Sequence, residues 1–180
     1  MNGYARIRKL RVFGARVYTH WSALLVGAGL FLLCIRTPLL AVITIVSYFG
    51  IIFLHEAGHA GFARRMGYRP FAIYLGVIHG VCDYEEPYSH KDEAIVAWGG
   101  VAAQMMVALP LIALAATTPL ASVRGLGPVV AFLGYFNLVF ALLNLVPVAP
   151  LDGAKAWALI PIALAERRHK AQAARRSGKR

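Results

Sequence analysis

Acidic residues are scarce in this chain. Eight Asp and Glu stand against nineteen Lys and Arg, a formal net charge of +11. Charge is absent altogether from long stretches: Leu39 to Leu54 carry none. There are only two cysteines, Cys34 and Cys82, with no paired spacing. That excludes a disulfide framework and a thiolate zinc site. Internal repeats, the usual mark of a transporter fold, are also missing. What the 180 residues have instead is apolar bulk: 59% are hydrophobic and the mean hydropathy is +0.61. Ordinary soluble domains hold about 45–50% apolar residues, so the composition is that of a membrane protein.

The basic excess could suggest nucleic acid, but its distribution argues for a bilayer. Seventeen of the nineteen basic residues fall in the segments 1–18, 64–91 and 155–180, and only Arg36 and Arg124 lie in the connections between them. These segments flank apolar runs. The first run is His20 to Ile35, short for a span and without a small-x-small cleavage site after it, which reads as an uncleaved first helix. The second is Leu39 to about Ala63, the third Ala94 to about Ala116, and the fourth Pro128 to Val146. With four spans every basic segment falls on one side, the cytoplasmic one.

The expected fold is therefore all-α and polytopic, with about four transmembrane helices and both termini cytoplasmic in a multi-pass cell-membrane protein. Aromatic and β-branched residues around Gly76 and Gly80 predict a short β-hairpin over 71–84, between helices 2 and 3. Pro147 and Pro150 break helix 4. Gly99 and Gly100 allow close helix approach. Residues 1–166 form a single core, and the basic, Ala-rich 167–180 is expected to be a disordered tail.

One stretch carries chemistry. His55-Glu56-Ala57-Gly58-His59 reads HExxH at the end of the second apolar run. On a helix, i and i+4 share a face, so two imidazoles converge. That is a zinc-ligand arrangement, with Glu56 placed as general base. An ionisable cluster in a lipid-length helix is costly unless it binds something. A catalytic zinc usually takes three protein ligands. Asp152 is the candidate at the right depth, against the alternative of a helix N-cap before Gly153. Asp83, Glu85, Glu86, Asp92 and Glu93 lie in a wet connection and read as solvated charges.

The pairing of HExxH at 55–59 with Asn144-Leu145-Val146-Pro147-Val148-Ala149-Pro150-Leu151-Asp152-Gly153 resembles the site-2 protease family of intramembrane zinc metalloproteases. His20-Trp21-Ser22 and His79-Gly80-Val81 agree with it more weakly. The resemblance covers roughly residues 17–160. It implies that His55, His59 and Asp152 hold one Zn2+ per chain, that Glu56 activates water, and that Asn144 and Pro147 shape a substrate groove. The broken fourth helix would carry the third ligand. The implied activity is cleavage of transmembrane segments of other membrane proteins. The implied partners are such substrates, the lipid bilayer and a regulatory membrane protein, with no nucleic acid. PDZ and CBS modules find no room in this length.

The chain departs from the pattern at Gly100-Val101-Ala102-Ala103-Gln104, where the family often has Gly-Pro-x-x-Asn. That puts substrate contacts, and Gln104 itself, in question. The competing readings are a catalytically silent membrane adaptor of the same fold and a small metal-handling transporter. The intact Glu56 and ligand set count against the adaptor, and the missing repeats against the transporter.

Overall fold

The computed structural model describes residues 3–123 and 125–177, so Arg124 of the charge count lies outside the described residues. The elements run β1 (Tyr4–Val12), β2 (Ala15–His20), α1 (Ser22–Leu33), α2 (Pro38–Arg65), β3 (Pro70–Leu75), β4 (Gly80–Tyr84) and α3 (His90–Thr117). A single 3-10 turn, Pro119–Ser122, leads into α4 (Leu126–Asn144), whose middle, Val130–Phe136, is π-helical. The short α5 (Gly153–Ala156) and then α6 (Leu159–Ser177) close the chain.

Three helices, α2, α3 and α4, are long and apolar enough to cross a membrane. The fourth expected span, α1, has twelve residues. At about 1.5 Å per residue it reaches about 18 Å, short of a hydrocarbon core of about 30 Å. Helix α2 begins with Pro38 at its first turn, where a missing N–H costs nothing. It ends where Gly67 takes a left-handed φ of 93° and Tyr68 N–H returns to Ala63 O at 2.9 Å. Helix α3 is capped by Ser89, whose hydroxyl accepts from Asp92 N–H at 3.1 Å.

The expected hairpin is present, β3 against β4 and antiparallel, but it belongs to a larger sheet in the order β1-β2-β3-β4. The N-terminal basic segment supplies the other two strands. They form an antiparallel hairpin turned by Phe13 and Gly14, with φ of 51° and 99°. Two successive residues with φ above zero make the tight turn whose twist suits a hairpin. Strand β2 pairs with β3 in parallel, so the chain leaves the sheet through α1, returns through α2, and rejoins at the same end of the molecule. Ala15 and Val17 of β2, Ile73 and Leu75 of β3, and Ile52 and Ala60 of α2 make a buried apolar cluster. It clamps the sheet onto the helix that carries HExxH.

The tail differs from expectation too. Helix α6 continues through Ser177, so residues 167–177 are helical where disorder was expected; the last three residues lie outside the described residues.

Candidate metal centre

Helix α2 buries one stripe: Ala41, Thr44, Ser47, Ile51, Ile52, His55, Glu56, Gly58, His59, Ala60 and Ala63. The spacing of three and four residues is that of one helical face. This face meets α3 at a crossing set by two glycines. A Cβ on Gly58 would collide with Gly99 O, and one on Gly99 would lie 2.7 Å from Gly58 O. Close approach at 58 and 99 lets α3 lie directly over the histidines. One residue on, a Cβ at Gly100 would stand 2.6 Å from His55 Cε1 and 2.7 Å from His59 Nε2. Any larger residue at position 100 would push into the space the rings occupy.

Asp152 comes from the far side. The segment after α4 turns sharply, and Gly153 packs against the Leu145 and Val146 carbonyls with no room for a Cβ. Trp98 Nε1–H donates to Ala156 O at 3.0 Å, Trp157 Nε1–H to Leu145 O at 2.6 Å, and Lys155 pairs with Glu93 at 2.9 Å. These contacts hold α5 against α3 and against the end of α4. Asp152 is the N-cap of α5 but its side chain makes no capping bond. The carboxylate turns inward instead: Oδ2 lies 2.9 Å from His55 Nε2 and 3.3 Å from His59 Nε2.

The two imidazoles face each other with Nε2 atoms 3.1 Å apart. His55 Nδ1 lies 2.9 Å from Gln104 Oε1, and His59 Nδ1 lies 2.9 Å from Val96 O. Both partners are oxygens that only accept, so each ring donates outward from Nδ1. A neutral ring then presents a bare lone pair at Nε2. Asp152 Oδ2, buried among them, receives no hydrogen bond. Three acceptor atoms thus converge with nothing to share, which is unfavourable unless a cation lies between them. Zinc bonds of about 2.0–2.1 Å in tetrahedral geometry would space donors by about 3.3 Å, close to the separations found. The donor set fits zinc. Among the described residues this is the one His, Cys, Asp and Glu group able to hold a metal ion.

Glu56 is buried at 6% exposure. The start of β4 closes over it: a Cβ on Gly80 would lie within 2.8 Å of Glu56 Oε1. The base position is therefore roofed by the hairpin rather than open to bulk water. The other residues singled out in the sequence are elsewhere. Asn144 donates to Phe140 O at 3.2 Å within its own helix, and Pro147 is exposed. Asp92 accepts from Tyr68 Oη at 2.6 Å, Glu85 accepts from Arg69 N–H at 3.2 Å, and Asp83 and Glu86 are exposed. His79 is exposed at the hairpin turn, where its carbonyl accepts from Gly76 N–H at 3.1 Å. Gln104, left open by the sequence, touches His55, and Asn137, not singled out at all, touches Gln104 at 3.0 Å. The signal for both was a lone amide within an apolar helix.

No family model matches the sequence. A protein of Synechocystis sp. described as "Putative zinc metalloprotease" is 34% identical over 119 residues, which cover 65% of this chain and 31% of that protein. The chain thus spans about a third of the length of the curated relative it matches. The solved structure of Site-2 Protease from Methanocaldococcus jannaschii superposes with a TM-score of 0.66 at 21% identity, over 87% of this chain and 71% of the other. The shared fold and the three long apolar helices are those of a membrane protein. The chain therefore has the fold of that Site-2 Protease and, over 119 residues, sequence similarity to a protein described as a zinc metalloprotease.

Proposed function

We propose that the chain is a zinc-dependent intramembrane endopeptidase that cuts transmembrane segments of other membrane proteins. The observation that carries this reading is the convergence of His55 Nε2, His59 Nε2 and Asp152 Oδ2 beside a buried Glu56, in a helix of lipid-spanning length. Bound at those three atoms, a zinc ion would acidify a water and polarise the scissile carbonyl. Glu56 takes the proton from the attacking water and delivers it to the leaving nitrogen. Its burial limits competition from bulk solvent. Gly100 lets the α3 backbone lie directly against both rings and fix their place. A helical substrate hides its peptide bonds in its own hydrogen-bond ladder, so it must unwind before Glu56 can act. The outer edge of β4, the last strand of the sheet, offers an unwound segment a ladder to join.

The bilayer placement follows the same reading. Both termini and the sheet face the cytoplasm, and the connection near Arg36 faces the other side. Substrate choice and control would come from a membrane partner.

The test is co-expression of the chain, wild type or Glu56→Gln, with a panel of single-span reporter proteins. The substitution leaves all three ligand atoms in place. Wild type should bind one zinc per chain and cleave a reporter, while E56Q should bind as much zinc and cleave at least about a hundredfold more slowly. Equal cleavage by both would refute the mechanism.

A further inference from the structure

Gln104 and Asn137 are each fully buried, one within α3 and the other in α4 just past its π-helical turns. Neither is a ligand candidate, and both are costly in such surroundings unless every polar atom is paired. Their hydrogen bonds form a chain with a single direction. Asn137 Nδ2 lies 3.1 Å from Gln104 O and 3.2 Å from Leu133 O. Both are backbone carbonyls and can only accept, so the amide nitrogen of Asn137 must face them. Asn137 Oδ1 then faces Gln104, and accepts from its Nε2 at 3.0 Å. Rotating the Gln104 amide would bring two oxygens to that distance. Gln104 Oε1 is thereby turned to His55 Nδ1. His55 has no choice but to carry its proton there and leave Nε2 bare. His59 needs no such device, because the Val96 backbone carbonyl fixes its ring directly.

We propose that Gln104 and Asn137 are positioning residues that hold His55 in its Nε2-ligating form, with Asn137 acting through Gln104 alone. The proposal rests on the metal reading above and extends it to residues that touch neither metal nor substrate. The relay begins at two backbone carbonyls of different helices, α3 and α4, so it also ties the ligand's orientation to the packing of that pair.

The experiment is zinc affinity of the detergent-solubilised full chain, by competition with a chelator, alongside its thermal unfolding midpoint. Gln104→Leu should weaken zinc on the order of 10–100-fold, the usual cost of losing a partner behind a metal-binding histidine. Asn137→Leu should weaken it by several-fold or more, because the Gln104 amide is then free to turn its NH2 toward His55. Gln104→Glu should stay within about threefold of wild type, since a buried carboxylic acid presents an oxygen to His55 while its O–H donates to Asn137 Oδ1 in place of the amide. In that Gln104→Glu background, Asn137→Leu should cost nothing further. This last comparison decides even if Gln104→Leu does not fold. Gln104→Leu binding zinc as tightly as wild type would overturn the proposal. So would Asn137→Leu costing the same factor in both backgrounds, as residues that merely fill space would. A wild-type chain that binds no zinc would sink the metal reading and this one with it, an outcome distinct from tight zinc in every variant.

Discussion

At the scale of single residues, the site is made from groups with one role each. The histidines donate outward and accept inward, Asp152 forgoes its cap, and Glu56 is kept apart under β4. Cys82 lies beside this group without belonging to it. Burial, with the negative charges of Glu56 and Asp83 adding to it, pushes its thiol up to about 12. Only the thiolate reacts or ligates, so Cys82 is inert near neutrality. Alkylation of Cys82 at pH 8 should be at least about tenfold slower in the folded chain than in the denatured one. The folded rate should keep climbing as pH rises past 9, the ordinary thiol value. Peptide mapping after timed alkylation reads both, and equal rates would mean that the thiol is not shielded. The convergence of His55, His59 and Asp152 was legible because HExxH is a local pattern and Asp152 follows a proline break. Gln104 was not, because nothing in a sequence ties position 104 to position 55; only the Gly58–Gly99 crossing does.

At the scale of elements, the helices were easier to read than the strands. A charge-free run announces itself. Strand β1 does not, because its register shifts between Arg6 and Arg11 and Lys9 sits at a φ of 68°. Such a bulge slips the two-residue alternation by one position, and Tyr4–Val12 then reads as a plain basic segment. The β3–β4 hairpin, bounded by glycines, was visible. Its outer strand yields a prediction of its own. Val81 pairs with Tyr74 on its inner side and is 49% exposed. Val81→Pro should lower cleavage several-fold with zinc content unchanged, if substrates are held as an added strand. Unchanged turnover would rule out strand addition.

At the scale of the whole molecule, one end gathers everything. The sheet, the Asp152 turn and the ion pair of Lys91 with Glu166 at 2.7 Å all lie where α2 ends and α3 begins. That arrangement requires α1 and α2 to go out and back, despite the twelve residues of α1. The proposed topology, from the charge bias, has this end in the cytoplasm. Epitope tags on the N and C termini should both be digested by protease added to inside-out vesicles and both survive in intact cells. A tag inserted at Thr37 should behave in the opposite way. Termini on different faces would mean that α1 does not cross. The charge count argues for this topology; the length of α1 does not, because a short helix flanked by polar turns looks the same whether it crosses or lies at the surface.

The parallel joint between β2 and β3 also sets an order of assembly. Forty-nine residues, 21–69, lie between β2 and β3, and they include both helices of the outgoing and returning pair. The ribosome delivers β2 long before β3, so the N-terminal hairpin must wait at the membrane surface with one flank unpaired. It gains its neighbour only once α1 and α2 have formed and brought β3 back beside it. Burial of Ile52 and Ala60 beneath the finished sheet then locks the ligand-bearing helix in depth and rotation. The order of synthesis thus makes the His55–His59–Asp152 cluster one of the last features to form: a nascent chain that has not folded its first helical pair against the sheet has nowhere to assemble it.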